Sequence, residues 1–253
     1  MYDQILYPTD GSEPAESALD YALRIASEHE ATIHILNVVD TSRDSLSRIQ
    51  GEVIDALKRE GEQIVDEAAQ RATERGLSVI SEVRQGTPST SIVEYSRQVD
   101  IDLVVMPTHG RRGLKRFLLG SVTERVINTA EIPVITVNPD RDRPLTYPCQ
   151  DLLVPTDGSR GAELALWEGI AVAKATGATL HLLHVIEMGS LGPDARSVLK
   201  EGVLTERANA IMTEATETAT EESLDAVESE IEYGPRPRKS APIFKRTRSN
   251  SQS

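Results

Sequence analysis

The sequence holds one cysteine, Cys149, so an internal disulfide framework and any cysteine-based metal cluster are excluded, and the residue reads as an ordinary thiol in a connector. No stretch approaches the ~18 to 20 consecutive apolar residues a membrane helix needs. The opening MYDQILYPTD has no basic leader region, and the expectation is a cytoplasmic protein with no membrane partner. Aromatics are few, with two Phe and one Trp, and lysine is confined to Lys58, Lys115, Lys174, Lys200, Lys239 and Lys245. Acidic residues outnumber basic ones 40 to 27, and the excess is spread along most of the chain, which argues against a nucleic-acid groove. Such an acidic, lysine-poor balance suits a high-salt cytoplasm. Neither general phosphate-binding motif, GxxxxGK[ST] or GxGxxG, occurs.

What is present is a repeat. The 253 residues suffice for one large domain or two ordinary ones. ILYPTDGSEPAESALDYALRIASEHEATIHILNVVD, from Ile5 to Asp40, aligns without a gap on LLVPTDGSRGAELALWEGIAVAKATGATLHLLHVIE, from Leu152 to Glu187. Pro8, Thr9, Asp10, Gly11 and Ser12 recur as Pro155, Thr156, Asp157, Gly158 and Ser159. The match resumes where EVRQG ends in Gly86 and EIEYG in Gly234. A duplicated unit is the reading.

The first copy alternates strand and helix. A short apolar run at Ile5 to Tyr7 precedes a helical spacing of Ala15, Ala18, Leu19, Ala22, Ile25 and Ala26, opened by Ser12 as N-cap with Pro14 in the first turn. Thr32 to Val39 reads as a second strand, Ile54 to Ala72 as a long helix, Leu77 to Val83 as a third strand, and Ile92 to Arg97 as part of a helix. IDLVVMP is a fourth strand, followed by a glycine-containing loop, a helix from Ser121 to about Ala130 and the strand PVITV. Continuous apolar strands joined by helices imply a parallel sheet covered on both faces. The organisation expected is a complete domain over 1–139, a polar, proline-rich linker over 140–150, a partial second domain over 151–234 and a basic, disordered tail over 235–253. The second copy shows no counterpart to whatever follows the third strand of the first.

In an open parallel sheet, ligands bind beyond the carboxyl ends of the strands where the strand order reverses, so the loops after strands one and four are the places for chemistry. After strand four comes PTHGRRGLKRFLLGSVTE, Pro107 to Glu124. Gly110 and Gly120 permit close backbone approach, and Gly120-Ser121 opens a helix whose first N–H groups and dipole favour a phosphate. Ser121 and Thr123 supply hydroxyls, while His109, Arg111, Arg112, Lys115 and Arg116 make a local basic cluster. The same Ser121 to Glu124 run is also a capping box, and the basic residues alone would equally be a solvated face. Asp10 can accept from ribose hydroxyls or stand in a metal's outer shell, or bond the backbone of its own turn. His34 and His181, both mid-strand, read as packed or exposed strand residues.

The opening DQILYPTDGSEPA, the strand HILNVVD and the run VVMPTHGRRGLKRFLLGSVTERVINTAEIPVITV together resemble the universal stress protein family, and within it the ATP-binding branch. That branch is marked by glycine, two residues, glycine, nine residues, glycine, then serine or threonine. Gly110, Gly120 and Ser121 match, but Pro107 stands at the first glycine, removing an N–H and fixing φ. The resemblance covers Tyr2 to Pro139 and Asp151 to Gly234. It implies an α/β fold of the adenine nucleotide alpha hydrolase-like kind: an open five-stranded parallel sheet of order 3-2-1-4-5 with helices on both faces, the second copy being incomplete. It further implies ATP held by the first copy, with Pro8, Thr9 and Asp10 on the adenine and ribose side, Val38 near the adenine, and Gly110, Gly120, Ser121, Val122 and Thr123 on the phosphates. A homodimer through the strand Pro133 to Val137 and a halophilic archaeal source complete the expectation. No residue stands out as nucleophile or general base, so an ATP-binding stress or signalling module is preferred to the alternative, a slow ATPase or autophosphorylating protein using Mg or Mn. A receiver-type phosphoacceptor is excluded, because Arg84 and Gln85 sit where its strand-three aspartate would be.

Overall fold

The computed structural model describes residues 2–41, 51–109, 119–138, 146–187 and 195–234, which fall into two compact units, Met1–Tyr147 and Pro148–Ser253. The first unit runs β1 (Gln4–Pro8), α1 (Glu13–His29), β2 (Thr32–Asp40), α2 (Gly51–Glu74), β3 (Val79–Gly86), α3 (Pro88–Gln98), β4 (Leu103–Pro107), α4 (Ser121–Thr129) and β5 (Val134–Val137). Its five strands are all parallel, in the order β3-β2-β1-β4-β5. This is the order the family resemblance implies.

Burial on both faces follows from the continuous apolar strands. One cluster packs Ile5, Tyr7, Ile33, Ile35, Leu103 and Val105 against α1 and α2; the other packs Leu6, Leu36, Val104 and Met106 against Ile92, Val93 and Tyr95 of α3 and Val126 of α4. Helix α1 starts at Ser12, whose hydroxyl accepts the Ala15 N–H, with proline in its first turn, as its sequence indicates. His34 is a packed strand residue at 3 % exposure. Its Nε2 lies 2.7 Å from Gln4 Oε1 and its Nδ1 2.8 Å from the Tyr95 hydroxyl, so Nε2 donates to the amide oxygen and Nδ1 accepts from the phenol. Burial lowers its pKa and keeps the ring neutral.

The second unit runs β6 (Asp151–Pro155), α5 (Arg160–Thr176), β7 (Thr179–Glu187), α6 (Ala195–Glu221) and β8 (Val227–Gly234), with the parallel order β6-β7-β8. Helices α5 and α6 cover one face through Leu166, Ile170, Met212, Ala215 and Ala219. Among the described residues nothing corresponds to α3, β4, α4 or β5. The substitution of environment shows at equivalent residues: Leu6 is fully buried while Leu153 is 37 % exposed, and His181, half-exposed, faces Asp151 and Glu228 instead of a tyrosine. Leu164, Trp167 and Val203 also stand in solvent.

An apolar side chain left in water forgoes roughly 1.5 to 3 kcal/mol of burial free energy, and strand β6, central by homology of position, is an edge among the described residues. Trp167 is the sole tryptophan and belongs to this unit. In urea, its fluorescence transition should precede the loss of most far-UV circular dichroism; coincident transitions would contradict the weaker second unit.

Candidate functional site

The site is built where two prolines interrupt a ladder. Successive residues of a strand send their N–H and C=O groups to opposite sides. Thr9 N–H bonds Leu36 of β2 and the Gln4 carbonyl accepts from Asp102, so even-numbered residues of β1 face β4 and the missing donor of Pro8 lies on that side. Val104 and Thr108 donate to Pro133 and Val137 of the β5 side, so Pro107 turns its missing donor toward β1. The β1–β4 register accordingly has only Ile5↔Leu103 and Leu6↔Val104, against five pairs for β1–β2. A crevice therefore opens between the carboxyl ends of β1 and β4, at the point where the strand order reverses.

One wall is the turn after β1. Thr9 Oγ1 accepts the Gly11 N–H at 3.1 Å, Asp10 Oδ1 accepts the Ser12 N–H at 3.1 Å, and Gly11 takes φ 69°, a left-handed conformation that favours glycine. The turn-forming role weighed for Asp10 is thus real. Asn37 of β2 fastens the turn by donating from Nδ2 to the Thr9 carbonyl at 2.8 Å. Gly61 of α2 lets that amide sit where it does, since a Cβ there would come within 2.6 Å of Asn37 Oδ1.

The other wall is the start of α4. Gly120 is its N-cap, at φ −66° and ψ 146°, and its N–H donates to the Thr108 carbonyl at 2.7 Å. The Ser121 to Glu124 capping-box reading is therefore overturned: Ser121 is the first helical residue, and a glycine cap has no side chain to satisfy the first turn. Helices α1 and α5, by contrast, are capped by Ser12 and Ser159. Ser121 is exposed and Val122 half-buried. Thr123 is 3 % exposed, and its hydroxyl donates to the Pro107 carbonyl at 3.0 Å, joining α4 to the end of β4. Its side chain serves the scaffold. Val38, near the end of β2, is half-buried against the α3 and α4 cluster. Pro8, Thr9, Asp10, Val38, Gly120, Ser121, Val122 and Thr123 thus share one end of the sheet, while Gly110 and the basic residues Arg111, Arg112, Lys115 and Arg116 lie outside the described residues.

The second unit repeats the first wall bond for bond. Thr156 Oγ1 accepts from Gly158, Asp157 Oδ1 from Ser159, and Ser159 Oγ from Ala162. The Ser159 hydroxyl and N–H hold the Asp157 carboxyl below the usual carboxylate range. His184 replaces Asn37, with Nδ1 donating to the Thr156 carbonyl at 2.7 Å. Neither Asn37 nor His184 was singled out from the sequence; the signal was a second polar residue, besides His34 and His181, recurring at one place in the middle of both strands. No second wall exists among the described residues of this unit.

Fold and loops together define an open parallel α/β domain with its crevice at the switch point. The family model described as the Universal stress protein family matches residues 1–138 and 149–241, and the chain belongs to that family. Universal stress protein MJ0531 of Methanocaldococcus jannaschii is 38 % identical over 140 residues, spanning 54 % of this chain and 82 % of its own. Among solved structures, protein MJ0577 of the same organism is similar at 32 % identity and TM-score 0.52, over 55 % of this chain and 98 % of its own. A universal stress protein from Archaeoglobus fulgidus matches across both units, at 27 % identity and TM-score 0.63, covering 91 % of this chain and 78 % of its own.

Loss of the Thr123 hydroxyl would strand a buried carbonyl, whereas Ser121 is exposed. Thr123→Val should lower the stability of the first unit by roughly 1 to 3 kcal/mol, and Ser121→Ala by less than about 0.5 kcal/mol, as read by urea unfolding. Equal losses would contradict the assignment of Thr123 to the scaffold.

Proposed function

We propose that the first unit binds ATP, as the ATP-binding branch of the family does, and acts as a stress-response or signalling module in a high-salt cytoplasm. The observation that carries this reading is the start of α4, with no side-chain cap, tied by Gly120 and Thr123 to the end of β4, the strand next to β1, from whose end the Thr9-Asp10 turn leaves. The N–H groups of Ser121, Val122 and Thr123 and the positive end of the helix dipole suit phosphate oxygens. Gly110 and Gly120 would let the backbone approach them. On the other wall, Pro8, Thr9 and Asp10 would take the ribose and adenine side, with Val38 against the base. ATP would supply the phosphate chain, and a magnesium or manganese ion riding on it would need few protein ligands, with Asp10 proposed to meet its water shell.

The second unit keeps the Thr156-Asp157 turn but offers no described phosphate wall, so one nucleotide per chain is proposed. The domain plan of a complete unit over 1–139 and a partial one over 151–234 is part of the same reading. Strand β5 is the last strand of the first sheet, with Val134, Ile135 and Thr136 only half-buried. An apolar edge of this kind asks for cover. We propose that two chains pair through the segment Pro133 to Val137.

Mass spectrometry of nucleotide retained through native purification should find ATP. A side chain at Gly120 would meet His109 Cα at 3.3 Å and the Thr108 carbonyl oxygen at 3.4 Å, at the backbone positions that close the phosphate loop. Gly120→Val should therefore weaken ATP binding at least roughly tenfold, the loss of about 1.4 kcal/mol, with the circular dichroism unchanged. Unaltered affinity would sink the site. ATP turnover by the purified protein that disappears in Ser121→Ala would favour the enzymatic alternative.

Light scattering at micromolar protein and high salt should give a dimer mass that Ile135→Lys converts to a monomer. A monomeric wild-type chain would contradict pairing through β5.

A further inference from the structure

Strand β2 and helix α2 each break a rule of their own element, and they do so at one point of contact. On the β2 face that packs against α1 and α2, Ile33 and Ile35 are fully buried, and the next residue of that face is Asn37, an amide only 6 % exposed. An amide among aliphatic side chains is costly unless it is hydrogen-bonded. Against it, in the middle of α2, stands Gly61, a residue that weakens a helix interior relative to alanine. A Cβ there would come within 2.6 Å of Asn37 Oδ1 and 3.1 Å of Val83 Cγ1. Neither exception improves the core. Both serve one bond, from Asn37 Nδ2 to the Thr9 carbonyl.

The second unit makes the same bond with a different pair. His184 Nδ1 donates to the Thr156 carbonyl. Val65, Ala68 and Ala72 of α2 answer to Met212, Ala215 and Ala219 of α6, which sets the buried Ala208 in the place of Gly61. Asparagine goes with glycine, and histidine with alanine. The two positions differ together between the copies, as positions do when one side chain occupies space the other must leave.

We infer that Asn37 is a positioning residue of the nucleotide site and Gly61 the seat it needs, so that helix α2 sets how firmly the nucleoside half of the ligand is held. The inference rests on the ATP reading above and adds the residues that place one of its walls. Asn37 acts through the Thr9 carbonyl. Bonds from Gly11 to Thr9 Oγ1 and from Ser12 to Asp10 Oδ1 give the turn its shape, while the Thr9 N–H to Leu36 and Asn37 Nδ2 to Thr9 tie it to β2. Without the Asn37 tie the turn keeps its shape and loses its place. The start of α4 is held separately, through Gly120 to Thr108 and Thr123 to Pro107, so the phosphate wall stays where it is.

Gly61→Ala is the decisive substitution, because helix propensity by itself favours alanine there. Titration of the full chain should show ATP and adenosine weakened by the same factor, roughly tenfold, in Gly61→Ala and in Asn37→Leu, which keeps the side-chain shape and drops the donor. Asn37→His/Gly61→Ala rebuilds the pair of the second unit and should bind as the wild-type chain does. With no nucleotide present, the Thr9 amide should exchange hydrogen faster in the two weakened variants and at the wild-type rate in the rebuilt one. Unchanged affinity in Gly61→Ala, a loss confined to ATP, or a rebuilt pair no better than Gly61→Ala overturns the inference. A wild-type chain that binds neither ligand overturns the ATP reading instead, and Thr9 exchange then decides whether Asn37 places the turn.

Discussion

Two prolines at neighbouring strand ends, Pro8 and Pro107, set the geometry on which the rest of the first unit depends. Each faces the other's strand with no N–H to give, so the ladder between β1 and β4 lapses two to three residues before the strands end. A sheet that lost its cohesion there would fray. The neighbouring ties prevent it: Thr9 N–H to Leu36 and Asn37 Nδ2 to Thr9 hold β1 to β2, while Thr108 N–H to Val137 and Thr123 Oγ1 to Pro107 hold β4 to β5 and α4. The crevice is open because its own ladder is missing, and it keeps its shape because the two outer ladders are not.

Pro107 takes a different meaning in this light. Read as a departure from the glycine pattern of the ATP-binding branch, it removes a contact. In the fold it matches Pro8, which also lacks a donor toward the crevice, and its carbonyl receives the Thr123 hydroxyl that fixes the start of α4. Glycine at this position would allow a ladder bond to β1 and free φ at the strand end. Proline gives up the N–H and leaves the carbonyl as the anchoring group. The role moves from ligand contact to scaffold.

Much of this was legible in the sequence for a physical reason: parallel strands buried on both faces have to be continuous apolar runs, and IDLVVMP or HILNVVD cannot be much else. The repeat exposed the Thr-Asp-Gly-Ser turn twice, and its bonds are local, so spacing alone suffices to find them. What escaped was long-range. Ser121 looks like an N-cap because serine followed three places on by glutamate is the capping-box pattern, yet the chain enters α4 one residue earlier, where Gly120 bonds Thr108 across a loop. Thr123 looked like a ligand hydroxyl because nothing local shows that it points back to Pro107, 16 residues away. Asn37 and Gly61 meet between a strand and a helix that no local pattern relates.

The second unit separates what a turn needs from what a site needs. Thr156, Asp157, Gly158 and Ser159 reproduce their counterparts although no described strand stands where β4 would be, because every bond of that turn lies within it or to β7. Such a turn is stable by itself and says nothing of ligand binding. A crevice, in contrast, requires two strand ends with a gap between them, and a gap has no meaning beside a free edge. The replacement of Asn37 by His184 fits this distinction, since either side chain can hand a proton to the same carbonyl and keep the turn closed. Motif identity between the copies therefore reports shared folding, and function has to be read from the wall that only one of them is seen to possess.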